Sequence, residues 1–351
     1  MSDVARRAGV SLSSVSRVAN HHPGVHPRLR RRIEGVLKDL GYTPSANKRR
    51  PKTRGTRLIY FVLANRDLHI PFHSRVLQAI ENECRRQGDL VLFRSLRYSA
   101  DTPAGELDVS ELLRTPPPEK RGLSPDGVIL TGLTYPNFIE ALKAADVPFM
   151  LLANNYTGSD LSGDAVAFDG FQGACDATRY LIELGHTNIL FIGDLKLSWF
   201  SRLYEGYLHA VKEAGLKPIA QTKGLSDNFY SNGYLSVEMM FRESNAITAI
   251  FAGYDDTALG AWKALNDRNV SVPREVSLVG FDDEDYAAFT APPLTTVRID
   301  VEGIGRELIS QLYKKLQEPT SILPIIKLDT TLVKRGTCWP VAVLSESATE
   351  S

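Results

Sequence analysis

DVARRAGVSLSSVSRVAN, residues 3–20, reads as a helix, a tight turn at Gly9-Val10-Ser11 and a second helix. Val4 and Ala8 share one face of the first helix, and Val15 and Val18 share one face of the second. Spacings of three and four residues let two short helices bury a common seam. Gly9 supplies the freedom for positive φ that the turn needs, and Ser11 is placed to cap the second helix. That helix then turns Leu12, Ser13, Ser16 and Arg17 outward, a small and mostly polar set suited to base edges in a major groove.

The next segment supports a polyanion partner. His21-His22-Pro23-Gly24 is a loop, and no further ligands at metal spacing accompany its two histidines, so no metal is expected. Pro27 opens a third helix at its favoured first position, with Leu29, Ile33, Val36, Leu37 and Leu40 as the apolar stripe and Gly41 as the stop. Arg28, Arg30, Arg31 and Arg32 crowd its first half, where phosphate contacts supply affinity and salt dependence but little sequence choice. Residues 1–57 hold 14 Lys and Arg against 3 Asp and Glu, a net +11. The whole chain is neutral, with 41 of each, so the remainder is −11. A basic head on an acidic body fits a nucleic-acid partner at one end only.

The order of residues in Asp-Val-Ala-x-x-Ala-Gly-Val-Ser-x-x-x-Val-Ser-Arg-Val-x-Asn resembles the DNA-binding headpiece of the lactose/galactose-repressor family of bacterial transcription regulators. Residues 42–57 are polar and basic, a linker. In that family the segment begins Tyr-x-Pro-Asn-Ala and folds on the operator into a hinge helix that pushes a leucine into the minor groove. Tyr42, Pro44 and Ala46 fit, but Pro51 takes the leucine's place. Proline lacks the amide donor and disfavours helix in the residue before it, although it can itself wedge between base steps.

From Leu58 onward the pattern changes to alternating strands and helices. The apolar runs 58–63, 90–93, 127–130, 147–152, 165–168, 189–192, 249–252 and 276–281 read as buried strands, with helical spacing between most of them. Alternation of these lengths predicts parallel, doubly wound sheets, and the number of units requires two sheets with a cleft. Leu184-Gly-His-Thr-Asn-Ile189, Phe251-Ala252 with Asp255 and Ala258, Val272-Pro-x-x-Val-Ser-Leu-Val-Gly-Phe-Asp-Asp283 and Pro292-Pro-Leu-Thr-Thr-Val297 resemble the same family's effector-binding core, which is periplasmic-binding-protein-like. With the headpiece the likeness spans residues 2 to about 338.

The expected architecture is therefore an N-terminal all-α helix-turn-helix headpiece (1–46), a basic hinge (47–57) and an α/β core of two doubly wound parallel-sheet subdomains (58–338). By the resemblance the N-subdomain spans about 58–157 and 291–320 and the C-subdomain about 158–290 and 321–338. The chain then crosses near 156–162, 289–293 and 319–323, and a disordered tail covers 339–351. Residues 99–125, with Pro116-Pro117-Pro118, form a longer connection than the family usually has.

Ligands of open α/β sheets sit beyond the carboxyl ends of the strands. By position that rim holds Phe72, His73, Asn154, Asp169, Arg202, Tyr254 and Asp282, the expected effector site. Asp169 and Asp282 match places where the family's sugar binders hydrogen-bond hydroxyls, and a carboxylate accepts from two hydroxyls at once. A loop or helix cap is the other role for each. Two departures stand out. Leu203 occupies the place of the family's arginine, with Arg202 one residue earlier, and one residue is ~100° of helix rotation. Tyr254 replaces the usual asparagine.

No phosphate loop, nucleophile elbow or Cys/His metal spacing is present. Asp255-Asp256 and Asp282-Asp283 lack an opposed general acid for glycoside hydrolysis. No catalytic residue, cofactor or metal is expected. Cys84, Cys175 and Cys338 form no disulfide set, no run of about 18 apolar residues spans a membrane, and no signal-peptide core opens the chain. A cytoplasmic location follows as the expectation. The function expected is a repressor binding double-stranded DNA at a palindromic operator as a homodimer. Leu12, Ser13 and Arg17 would meet bases, Ser16, Asn20, Arg28, Arg30, Lys48 and Arg49 the backbone, and Pro51 the groove. A small carbohydrate effector would control it. A degenerate pocket controlled by a protein partner, or a solute-binding receptor, are the alternatives.

Overall fold

A computed structural model describes residues 6–10, 15, 18, 27–39, 55–68, 70–109, 113, 124–223, 225, 228–242 and 246–341. The chain divides into two compact units, Met1–Thr56 and Arg57–Ser351. In the first, Pro27–Asp39 is a helix (α1), and Ala8, Val15, Val18, Ile33 and Leu37 are buried together. This is the seam that the three- and four-residue spacings predict, closed by the stripe of α1. Gly9 has φ +60°, as the turn requires. Leu12, Ser13, Ser16, Arg17, Asn20, Lys48, Arg49 and Pro51 lie outside the described residues.

The second unit holds two six-stranded sheets. The first orders as β11-β5-β4-β3-β1-β2, from β1 (Leu58–Ala64), β2 (Leu90–Leu96), β3 (Gly127–Gly132), β4 (Phe149–Leu152), β5 (Ala165–Phe168) and β11 (Ile326–Leu328). The second orders as β12-β10-β9-β8-β6-β7, from β6 (Ile189–Ile192), β7 (Ile219–Gln221), β8 (Ala249–Ala252), β9 (Ser277–Asp282), β10 (Thr295–Ile299) and β12 (Thr330–Val333). All described pairings are parallel except β10 with β12. The intervening helices are α2 (Pro71–Gln87), α3 (Pro136–Ala144), α4 (Gly170–Glu183), α5 (Ser198–Glu213), α6 (Phe229–Arg242), α7 (Asp255–Asp267) and α8 (Val301–Gln317). β1, β3, β4, β6, β8 and β9 are almost wholly buried, which is why their sequences are continuous apolar runs rather than alternating ones. The short β7, β11 and β12 carry no such run, so periodicity does not find them.

The three crossings between sheets come later than expected. β5 pairs with β4 and stays in the first sheet, so the first crossing is at 168–170 and not 156–162. β10 pairs with β9 in the second, which moves the next crossing from 289–293 to 299–301. β11 pairs with β5, placing the last at 328–330 rather than 319–323. Each segment finishes its ladder before leaving the sheet, because unpaired backbone groups in a buried layer are costly. Lys315 of α8 holds the 321–323 segment to the first sheet through Asp164 Oδ2 at 2.8 Å, and Asp164 Oδ1 accepts from the Leu323 amide at 3.0 Å. Residues 339–341, expected to begin a disordered tail, are tied down: the Trp339 amide donates to Ser277 Oγ and that of Val341 to the Leu184 carbonyl.

Helix contacts within the second subdomain are close. A Cβ on Gly233 of α6 would stand 1.9 Å from the Thr257 carbonyl oxygen, and one on Gly260 of α7 1.8 Å from that of Tyr230. His186, from the Leu184–Ile189 motif, is buried and ties three segments. Its Nδ1 meets Thr248 Oγ1 at 3.1 Å, and its Nε2 meets Ser277 Oγ at 2.9 Å and the Trp339 carbonyl at 3.1 Å. Its role is to anchor the core.

Candidate effector cleft

The carboxyl ends of β3, β4, β5, β8 and β9 converge on a cleft of about 460 Å³. They contribute Thr131, Leu152, Phe168, Phe281 and Asp282, followed by Asn154 and Asn155 after β4 and Gly253 and Tyr254 after β8. The N-terminal halves of α2 and α5 close it with Phe72, Trp199 and Leu203, and Ile70 precedes α2. Each subdomain thus supplies one wall, as expected for ligands bound past the ends of parallel strands.

Asp282 has φ +105°, a region that non-glycine residues enter only under constraint. The constraint is its neighbour. Asp283 accepts from Arg298 Nε and from an Arg335 terminal nitrogen, both at 2.6 Å, and fixes the chain just after β9. Asp282 is left at the cleft, 8% exposed, and its carboxylate accepts no hydrogen bond from another described residue. Burial, then the nearby Glu284 and Asp255, push its carboxyl well above the usual range, with Arg75 opposing.

Behind it the acids are satisfied. Asp255 is fully buried and accepts from Thr296 Oγ1 at 2.6 Å and the Glu284 amide at 2.8 Å. Burial raises its pKa to about 8. Gly280 makes room, since a Cβ there would lie 2.1 Å from Asp255 Oδ1. Glu284 accepts from the Tyr254 hydroxyl at 3.3 Å and, across the cleft, from Arg75 of α2 at 3.2 Å. Ser198 of α5 donates to the Asn154 carbonyl at 3.0 Å, a second tie between the two walls.

The expected site residues therefore separate. Phe72, Asn154, Tyr254 and Asp282 line the cleft. Asn154 has its amide committed, donating to the Phe168 carbonyl at 2.9 Å and accepting from the Phe168 amide at 3.0 Å. His73 stands one layer back, fully buried, with Nδ1 3.4 Å from Thr131 Oγ1 and no partner on Nε2. Burial lowers its pKa to about 4, so the ring is neutral near pH 7. Asp169 is not in the cleft: it caps α4 by accepting from the Gln172 amide at 3.0 Å and pairs with Lys327 at 2.5 Å. Arg202 is also outside it. α5 starts at Ser198, earlier than the spacing suggests, which turns Leu203 inward at 1% exposure and leaves Arg202 70% exposed beside Glu205.

Thr131, Asn155, Trp199 and Phe281 line the cleft without having been singled out in the sequence. Phe281 precedes the Asp282 of a quoted motif, which was an available signal; the others carry none. The Asn155 side-chain oxygen is buried with no partner. Among the described residues no group of three or more His, Cys, Asp or Glu is arranged to hold a metal, and no helix is long and apolar enough to cross a membrane. In the first unit, Arg28 is exposed and Arg30 half-buried on the first turn of α1.

A two-walled cleft of this topology is that of a periplasmic-binding-protein-like ligand-binding core, and residues 178–338 match the model of the periplasmic binding protein-like domain. Residues 1–45 match the model for bacterial regulatory proteins of the lacI family. The chain is 30% identical over 340 residues to the ribose operon repressor of Escherichia coli strain K12, covering 96% of this chain and 98% of that one. It is 26% identical over 336 residues to the HTH-type transcriptional repressor PurR of Pasteurella multocida, covering 95% and 96%. A crystal structure of the lac repressor dimer bound to operator and an anti-inducer superimposes with a TM-score of 0.69 at 26% identity, covering 96% and 98%. The chain belongs to the lacI family of bacterial regulatory proteins, and its function class is transcriptional regulation.

Proposed function

We propose that this chain is a homodimeric repressor of a palindromic operator whose DNA affinity is set by an uncharged sugar or sugar derivative in the cleft. The observation that carries the ligand assignment is Asp282, a carboxylate held at the cleft by a constrained backbone and hydrogen-bonded to no other described residue. Such a group is an acceptor awaiting donors, and aromatic faces around it suit the C–H surface of a sugar ring.

At the DNA end Leu12, Ser13 and Arg17 read base edges, and Ser16, Asn20, Arg28, Arg30, Lys48 and Arg49 contact the backbone. Pro51 stands at the minor groove. One headpiece reads too few base pairs, and a twofold protein matches a twofold site. Exposed apolar side chains on the core, among them Leu90, Phe93, Leu235, Met239 and Phe289, support burial against a second copy. Arg75–Glu284 and Ser198–Asn154 bridge the walls beside the ligand, so occupancy biases their relative arrangement. Differential affinity for two arrangements is what couples a cleft to a distant surface.

Selection of duplexes from a random pool, with and without sugars, tests both ends. Enrichment of a palindrome whose affinity changes with a sugar is the expected result. In that assay Arg17→Ala removes preference for the selected site more than general DNA affinity. Absence of any enriched sequence overturns the operator assignment. Enrichment that no carbohydrate alters favours control by a protein partner.

A further inference from the structure

We propose that Arg57, Asp89 and Tyr313 form a clamp that fixes where the chain leaves the core, and that α2 carries the state of the cleft to this clamp. Arg57 is then a positioning residue for DNA binding and not a phosphate contact. The inference rests on the DNA-binding reading above and concerns which residues transmit to it.

Arg57 opens the second unit and is held at four points. Its amide donates to Asp89 Oδ1 at 2.8 Å, and its guanidinium to Asp89 Oδ2 at 3.3 Å. Its carbonyl accepts from the Leu90 amide at 2.9 Å, and the guanidinium lies over the Tyr313 ring, 4.5 Å from the centroid. The Tyr313 hydroxyl donates to Asp89 Oδ2 as well. Burial, then this bond, push the Tyr313 pKa up, so the hydroxyl stays a donor. The Asp89 side chain is only 4% exposed, and a carboxylate so placed needs partners of this kind. By composition Arg57 counts with the basic head, but its charge is spent on the core.

Both helices that reach the clamp start at the cleft or at a crossing. Asp89 follows α2 directly after the Gly88 cap, and Tyr313 lies near the end of α8. Each helix has 17 residues, a length of ~25 Å. α2 opens with Phe72 in the cleft wall and Arg75, whose Nη1 donates to the Glu284 carboxylate at 3.2 Å and the Asp283 carbonyl at 3.3 Å on the opposite wall. α8 opens at Val301, where the chain arrives from the second sheet.

The two helices touch at their backbones. A Cβ on Gly305 of α8 would stand 2.6 Å from Ala79 Cβ and 3.0 Å from the Ala79 carbonyl carbon of α2. Helices packed this closely move as one body. A displacement imposed on Arg75 by the opposite wall therefore arrives at Asp89, ~20 Å along the helix, and shifts the residue that leads to the DNA-binding unit.

The test is a double-mutant cycle on the full chain, read as Kd for a duplex enriched from the random pool over a range of salt. Arg75→Ala and Asp89→Asn are each expected to change Kd threefold or more. The double variant is expected to depart at least threefold from the product of the two effects, whereas independent sites this far apart multiply within about twofold. Should Asp89→Asn fail to fold, Tyr313→Phe, which removes only the hydroxyl, takes its place. Arg57→Ala is expected to change Kd threefold or more while leaving the salt slope of log K as in the parent. Single variants without effect, or effects that simply multiply, overturn the clamp and leave the DNA-binding reading standing. A slope lowered by ~1 in Arg57→Ala makes that residue a phosphate contact and also overturns it. If no duplex is enriched, the DNA-binding reading falls and the clamp with it.

Discussion

Replacing Asp282 by glycine is expected to make the core more stable and its ligand affinity weaker at the same time. The backbone there has φ +105°. Holding a non-glycine residue in such a region costs ~1–3 kcal/mol. Glycine relieves that cost and returns ~0.5–1 kcal/mol as extra freedom of the unfolded chain. The net gain is ~0.5–2 kcal/mol, roughly 1–4 °C in Tm for a domain of this size. A charge-dependent increment has the same sign. The Asp282 carboxyl is raised in the folded protein, chiefly by burial. Below the unfolded-state pKa both states are protonated and no stability is lost. As pH rises through that value the unfolded chain ionises first, and the folded state loses stability until its own pKa is passed. The advantage of glycine therefore grows as pH rises above the ordinary aspartate range. Binding moves the other way, because removing the carboxyl leaves a buried ligand hydroxyl unpaired, which costs ~1–3 kcal/mol, or ~5–150-fold in Kd. Thermal melts of the full chain at pH 5 and pH 8 without ligand, with titration of a bound sugar, read both effects. A glycine variant less stable than the parent at pH 8 refutes the strain argument, and unchanged affinity refutes the ligand assignment.

Asp255, with its pKa raised to about 8 by burial, makes the parent protein lose stability as pH rises from about 4 to 8. Asp255→Asn is expected to flatten that part of the profile, and melts across the range check it; an equally steep profile in the variant counts against the assignment. Gly233→Ala places a Cβ 1.9 Å from a backbone oxygen that cannot swing aside. Forced separation of α6 and α7 then costs ~1–3 kcal/mol or more, measured by denaturant titration; a neutral effect means the helices part freely. Arg28→Ala is expected to weaken binding to all duplexes alike and to reduce the salt slope of log K by ~1. Loss of preference for one sequence, rather than uniform weakening, rules out a phosphate contact there.

The sequence by itself was sufficient for the head seam and for the alternation of the core. Ala8, Val15, Val18, Ile33 and Leu37 bury one another because helical spacing brings them to one side, and spacing is a local property. β1, β3, β6, β8 and β9 announce themselves because a strand buried on both faces must be apolar throughout. The same sequence placed Asp282, Phe72 and Tyr254 at the rim, since strand ends mark where a cleft opens. Only the tertiary structure decided which neighbour faces the ligand. Arg202 and Leu203 are adjacent in sequence and point oppositely because α5 begins at Ser198. Asp169 and Asp282 both end strands, yet Lys327 and the Gln172 amide claim the first, while the Arg298 and Arg335 pair on Asp283 leaves the second unclaimed. Which subdomain receives β5, β10 and β11 was likewise decided by ladder partners distant in the chain. Partners of that kind are contributed by residues far apart in sequence, and no local period or spacing encodes them.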